Sequence, residues 1–148
     1  MKVAIAADHG GFALKGRLIQ VLDAGHEVLD LGTHSEEPVD YPDYARAPGE
    51  AVLDGRAERG VLICGSGAGA TVAANKIRGI RAALVHDTYT AHQMVEHDDV
   101  NVCCLGARVV GVELAAEIAT VFLAARFTDE ERHVRRLNKV AQIEREGT

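Results

Sequence analysis

Cys64 stands directly before a run of glycines, Gly65-Ser66-Gly67-Ala68-Gly69, and a cysteine so placed can serve as a base or a nucleophile. An apolar run that leads into glycines and then a helix leaves bare main-chain N–H groups facing outward, a cradle for an anion. Two anions suit it: a phosphate, or the oxyanion that develops on a reacting carbonyl compound. Cys64 itself has two readings. Free cysteine is usually a small buried hydrophobe, yet beside a helix N-terminus it can persist as a thiolate that removes a proton or attacks carbon. The spacing Gly65-x-Gly67-x-x-Ala70 also meets the loose dinucleotide fingerprint, with Asp87 lying roughly the expected ~20 residues beyond it. Against that reading, the loop follows the third apolar run rather than the first, and the chain is short for two mononucleotide-binding halves. A non-catalytic nucleotide-binding module is the rival from another class.

Histidines and arginines supply the other candidates. The histidines, at 9, 26, 34, 86, 92, 97 and 133, show no HExxH and no paired ligand spacing, and no CxxC accompanies them, so no metal site is expected. His97 ends a helical stretch just before the last apolar run, and reads either as a general acid or base or as an exposed terminal histidine. Arg132 and Arg136 lie one helical turn apart with His133 between them. That trio is either a solvated charged face or a clamp whose guanidinium forks match phosphate oxygens. If its helix projects past the rest of the fold, the natural target is a neighbouring subunit's site. Cys103 and Cys104 have no comparable setting and read as strand filler.

The elements that must hold these residues alternate between two kinds. Short β-branched or continuously apolar runs occur at Val3–Ala7, Val28–Leu31, Val61–Cys64, Ala82–Val85 and Val102–Leu105, as strands covered on both faces do. Between them, Leu14, Leu18, Val21 and Leu22 form a helical stripe, and Leu114, Ile118, Val121 and Phe122 repeat its spacing. Met94 and Val95 mark a shorter helix; Val134, Leu137 and Ala141 mark a terminal one. The alternation predicts an α/β domain with a five-stranded parallel sheet and helices on both faces. Pro48-Gly49, inside a helical segment from about Tyr44 to Leu53, predicts a break or kink. Ligands of such sheets sit outside the carboxyl ends of the strands, which are followed here by Asp8-His9-Gly10-Gly11, Gly32-Thr33-His34 leading to Asp40-Tyr41, the glycine loop, His86-Asp87 and Gly106-Ala107-Arg108.

Composition narrows the classes. One domain, residues 1–148, accounts for 15.8 kDa of chain that is 47% hydrophobic. Sixteen Lys and Arg against twenty-two Asp and Glu give −6, which argues against a nucleic-acid-binding surface. No run suits a membrane span, and the opening Met1–Gly11 lacks a secretory apolar core. An odd cysteine count suits reduced thiols, and a cytoplasmic protein is expected.

These pieces occur together in one known pattern. Ala7-Asp8-His9-Gly10-Gly11-Phe12-Ala13-Leu14-Lys15, Asp40-Tyr41-Pro42-Asp43-Tyr44-Ala45 and Ile63 to Gly69 with Ala73-Ala74-Asn75-Lys76 come first. Gly79-Ile80-Arg81-Ala82, His97-Asp98-Asp99-x-Asn101, Gly106 to Gly111 and Arg132-His133-x-x-Arg136 follow in the same order. Across nearly its whole length the chain resembles the ribose-5-phosphate isomerase B family, which includes the galactose-6-phosphate isomerase subunits. The resemblance implies a three-layer α/β/α Rossmann-like sandwich whose C-terminal helix reaches a partner subunit. It implies a cofactor-free, metal-independent aldose–ketose isomerase acting on a phosphorylated sugar through an enediolate. Ribose 5-phosphate to ribulose 5-phosphate is the expected reaction; allose 6-phosphate, galactose 6-phosphate and erythrulose 4-phosphate are alternatives. In this resemblance Cys64 moves the proton between C1 and C2, His97 helps open the ring, and Ser66 lies beside the reacting end. The amides of Gly65, Gly67 and Gly69 hold the enediolate oxygen. Asp8, Asp40, Tyr41 and Asn101 line the sugar. His9, Arg108, Arg132, His133 and Arg136 form the phosphate end, the last three from a partner in a homodimer or tetramer. One branch of the family carries a glutamate base just after the glycine loop; Ala70 stands there, which places this chain with the cysteine type. The loop Thr33–Val39 matches no motif and leaves the preferred sugar open.

Overall fold

Each short apolar run is a strand: β1 (Lys2–Ala7), β2 (Glu27–Asp30), β3 (Arg59–Cys64), β4 (Ala82–Leu84) and β5 (Val102–Gly106). The helices between and after them are α1 (Phe12–Leu22), α2 (Tyr41–Leu53), α3 (Ala68–Ala74), α4 (Thr88–Asp98), α5 (Val112–Ala124) and α6 (Glu131–Glu146). The computed structural model describes residues 1–147. All strand pairs are parallel and run in the order β2-β1-β3-β5-β4.

Side chains of a strand alternate between faces, and here both faces are covered. Val3, Ile5, Val61, Ile63, Cys103 and Leu105 pack with Leu18 of α1, Val95 of α4 and Phe122 of α5. The opposite face sets Ala6, Leu62, Cys64, Val102 and Cys104 against Ala45 of α2 and Ala70 and Ala74 of α3. The result is the expected three-layer α/β/α sandwich. Full burial of a side chain such as Phe122 or Ile118, both 0% exposed, stabilises the fold by about 1.5–3 kcal/mol. Among the described residues, no helix is long and apolar enough to cross a membrane.

Pro48 corrects the sequence expectation, because α2 runs unbroken through it. The proline forfeits one helical N–H bond, but its ring is buried against β3, with Cβ 3.4 Å from where a side chain on Gly60 would begin. Gly49 lets the helix approach further: a Cβ there would meet Ile77 Cδ1 at 2.8 Å. Close packing outweighs the local preference to break.

Lys15 is 2% exposed, and its ammonium lies 2.5 Å from Asp30 Oδ1 at the end of β2. Burial alone would raise the Asp30 carboxyl; the Lys15 hydrogen bond and the Gly32 amide outweigh it and hold the group below its ordinary range. Because the folded form is the more acidic one, this stabilisation is present above the unfolded carboxyl's pKa and lost as pH falls through the folded one. Asp30→Ala strands a buried ammonium. It is expected to cost about 2 kcal/mol, less than a fully buried pair because the carboxylate meets water, and to flatten the acid limb of a stability–pH curve.

Two contacts fix the far end of the molecule. Arg59, at the start of β3, donates to the carbonyls of Phe122 and Ala125 (the latter at 2.8 Å) and caps α5. Glu144 of α6 accepts the Gly79 amide at 2.8 Å, and α6 also packs on α4, so the terminal helix lies against its own chain.

Candidate active site

The strand order reverses at β1 and β3, and at their carboxyl ends the loops crowd together, as at other topological switch points. Cys64 closes β3 facing the α2–α3 layer, 5% exposed. Its sulfur accepts the Gly67 N–H at 3.0 Å. Gly67 adopts φ 81°, a left-handed conformation that suits glycine, and so turns the chain into α3. Ser66 is exposed beside it, its hydroxyl accepting the Ala68 N–H at 3.3 Å.

The neighbouring loops close around this one. A Cβ on Gly10 would sit 3.3 Å from both Asp8 Oδ1 and the Gly65 nitrogen, so the β1 and β3 loops touch. Asp8 accepts the Gly11 amide at 3.1 Å and braces its own turn. The Arg108 amide donates to the Gly65 carbonyl at 2.9 Å, and its guanidinium lies along the same glycine. The Tyr41 ring covers Gly69 so closely that a Cβ there would stand 2.8 Å from it. Asp40 precedes α2 without using its carboxylate as a cap. His9 accepts the Val39 amide on Nδ1 at 3.1 Å, which leaves its Nε2 to carry the ring proton. Asp8, His9, Asp40, Tyr41, Cys64, the glycines, Ser66 and Arg108 therefore share one open shelf.

His97, Asn101, Arg132, His133 and Arg136 are not on it. They gather at the opposite edge, where β5 begins. The Asn101 carbonyl accepts the Gly60 amide at the start of β3, four residues or about 13 Å of strand from Cys64. The Asn101 side chain is occupied locally, accepting from Arg81 N at 2.8 Å and donating to Gly79 O at 3.0 Å. His97 ends α4 and stacks on His133 with ring centroids 4.1 Å apart. Arg132 and Arg136 are exposed on α6 next to His133. Burial, with help from His97 and Arg132, pushes the His133 imidazolium to lose its proton more readily than an ordinary histidine.

A family model described as ribose/galactose isomerase matches residues 3–140. The chain belongs to the ribose/galactose isomerase family. It is similar to the ribose-5-phosphate isomerase B of Escherichia coli, 42% identical over 144 residues that cover 97% of this chain and 96% of that one. It is also similar to a D-erythrulose-4-phosphate isomerase of Mycolicibacterium smegmatis, 36% identical over 148 residues and 97% of each chain. The solved ribose-5-phosphate isomerase B of Clostridium thermocellum superposes with a TM-score of 0.97 at 45% identity, each chain fully covered.

As a ribose/galactose isomerase family member, this chain is an aldose–ketose isomerase. The family match displaces the dinucleotide reading, and Asp87 serves as the N-cap of α4, accepting the Thr90 amide at 2.6 Å. Cys103 and Cys104 are both fully buried in β5, where burial pushes the Cys104 thiol up to about 12 and Cys103 upward as well. They are strand filler; Cys64 is the thiol at the shelf. Sequence reasoning put His86 at the ligand edge without a role, and missed two supporting residues, Gln93 and Thr128. His86 accepts the Gly106 amide at 3.3 Å, Gln93 contacts His97 Nδ1 at 2.9 Å, and Thr128 contacts His133. The Gln93–His97 pair could have been found from its one-turn helical spacing.

Proposed function

We propose that this isomerase interconverts ribose 5-phosphate and ribulose 5-phosphate, with the Cys64 thiolate transferring the proton between C2 and C1. The observation that carries the reading is the Cys64 sulfur, held by a loop amide at the head of a glycine cradle with an arginine alongside. That amide anchors the sulfur at the head of the cradle. The thiolate takes the proton from C2, and the C2–H electron pair forms the C1–C2 double bond while the C1 carbonyl pair moves onto oxygen. The Gly67 amide is taken by the sulfur, so the oxyanion falls to the Gly65 and Gly69 amides rather than to all three glycines; one such donor is typically worth about 3–4 kcal/mol. The thiol, which exchanges its proton with solvent between the two transfers, returns a proton to C1, and movement of the O2 proton to O1 as the C2 carbonyl forms gives the ketose. Binding of the distant phosphate orients the carbons and supplies energy that the reacting groups need not.

The complete set of groups lies on two edges of one protomer, so the proposed site joins the Cys64 shelf of one copy to the His97 edge of a second. A two-fold axis across the strands brings opposite edges together. His97 of the second copy then opens the sugar ring while Arg132 and Arg136 meet the phosphate beside His9 and Arg108, and His133, buried behind them, backs His97 rather than meeting the phosphate.

Relatives named as erythrulose-4-phosphate isomerases, including one from Pectobacterium atrosepticum at 42% identity, favour a four-carbon substrate as the second reading. Rates on four-, five- and six-carbon aldose and ketose phosphates decide between them. Ribose 5-phosphate is expected to lead in kcat/KM by at least about tenfold, the scale on which a site discriminates a missing hydroxymethylene group. A faster four- or six-carbon substrate would overturn the assignment.

A further inference from the structure

Thr128, in the connection between α5 and α6, sits where three elements meet. Its amide and its hydroxyl both reach the Glu96 carbonyl in the last turn of α4, each at 3.0 Å. The same hydroxyl oxygen lies 2.7 Å from His133 Nδ1 on α6. His133 is 1% exposed, stacks on His97 at 26° between ring planes, and has no hydrogen-bond partner for its Nε2.

A hydroxyl has one proton to give and two lone pairs to offer. The Glu96 carbonyl can only accept. If the Thr128 proton goes to it, Thr128 Oγ1 accepts from His133 Nδ1–H, and every donor in the cluster is used. The buried Nε2 is then a bare lone pair. In the opposite arrangement the hydroxyl donates to Nδ1, the ring proton moves to Nε2, and a buried N–H is left without an acceptor, the more costly outcome. Protonation of both nitrogens would set a cation against His97 beneath Arg132 and Arg136. The first arrangement wins.

We infer that Thr128 is a positioning residue: its hydroxyl fixes His133 as the neutral Nδ1–H tautomer and seats that ring flat against His97. His97 is held from its other side by the Gln93 amide, which donates to Nδ1 and leaves the His97 proton on Nε2. The consequence for turnover rests on the reading of His97 as the ring-opening group.

Thr128→Val keeps the shape and the main-chain bond to Glu96 but removes the hydroxyl; Thr128→Ser restores it. Long-range proton–nitrogen correlation spectra of the full-length protein read each histidine's tautomer. The wild type is expected to show His133 protonated on Nδ1, Thr128→Val to lose that signature, and Thr128→Ser to regain it. With ribose 5-phosphate, Thr128→Val is expected to lower kcat about tenfold with KM within about twofold, since misplacement of a reacting group acts on the chemical step. An unchanged tautomer in Thr128→Val would overturn the inference, as would a loss confined to KM. The spectra stand apart from turnover: if wild-type protein fails to isomerise the sugar, the functional reading fails while the tautomer still decides the role of Thr128.

Discussion

Mixed in equal amounts and left to exchange subunits, Cys64→Ala and His97→Asn proteins, each inactive alone, are expected to regain about a quarter of the wild-type rate. The argument is geometric. Cys64 ends β3 at one edge of the sheet, while His97 stacks on His133 at the edge where β3 and β5 begin. One chain therefore cannot bring its own cysteine and its own His97 to the same sugar. In a two-fold dimer each site draws one residue from each copy. Random exchange makes half of the dimers mixed, and each mixed dimer carries one doubly altered site and one intact site. Labelled subunits report whether exchange has taken place. Exchange without recovery would show that each protomer works with its own residues.

Cys64→Ala alone is expected to lower kcat by about 10³, within the range supplied by a positioned acid–base group. Affinity for the phosphorylated sugar should be retained, because His9, Arg108 and the α6 arginines are untouched. Packing supports a clean test. Cys64 lies among Ala70, Leu62 and Cys104, and alanine removes a single sulfur from that cluster. Neither Cys103 nor Cys104 can substitute, since both are sealed in the core with thiols held protonated by burial. Retention of most of the turnover would assign the proton transfer to another group.

Much of the sheet was legible because its strands are buried on both faces, which writes them as unbroken apolar runs. The shelf was legible for the same reason: in a parallel sheet, whatever follows each strand meets at one edge. What escaped depends on contacts distant in the chain. The resemblance already gave Arg132, His133 and Arg136 to a partner; that His97 and Asn101 share their edge escaped, because motifs name roles without saying which edge a residue occupies. His97 follows α4 back to the starts of the strands, away from Cys64. Pro48 misled because local helix preference is weaker than the close fit of α2 on Gly60, Ile77 and Ile80. Thr128 gave no signal, as its partners Glu96 and His133 lie on different helices and share no periodicity with it.

Heavy water supplies the most direct test of the proton transfer itself. Ribose 5-phosphate incubated with the wild-type protein in D2O is predicted to yield ribulose 5-phosphate carrying solvent deuterium at C1, and the Cys64→Ala protein is predicted to yield almost none in the same time. Ketose formed with the C2 hydrogen wholly retained at C1 would contradict a transfer through a thiol that exchanges with solvent, as would undiminished deuterium incorporation in the absence of the sulfur.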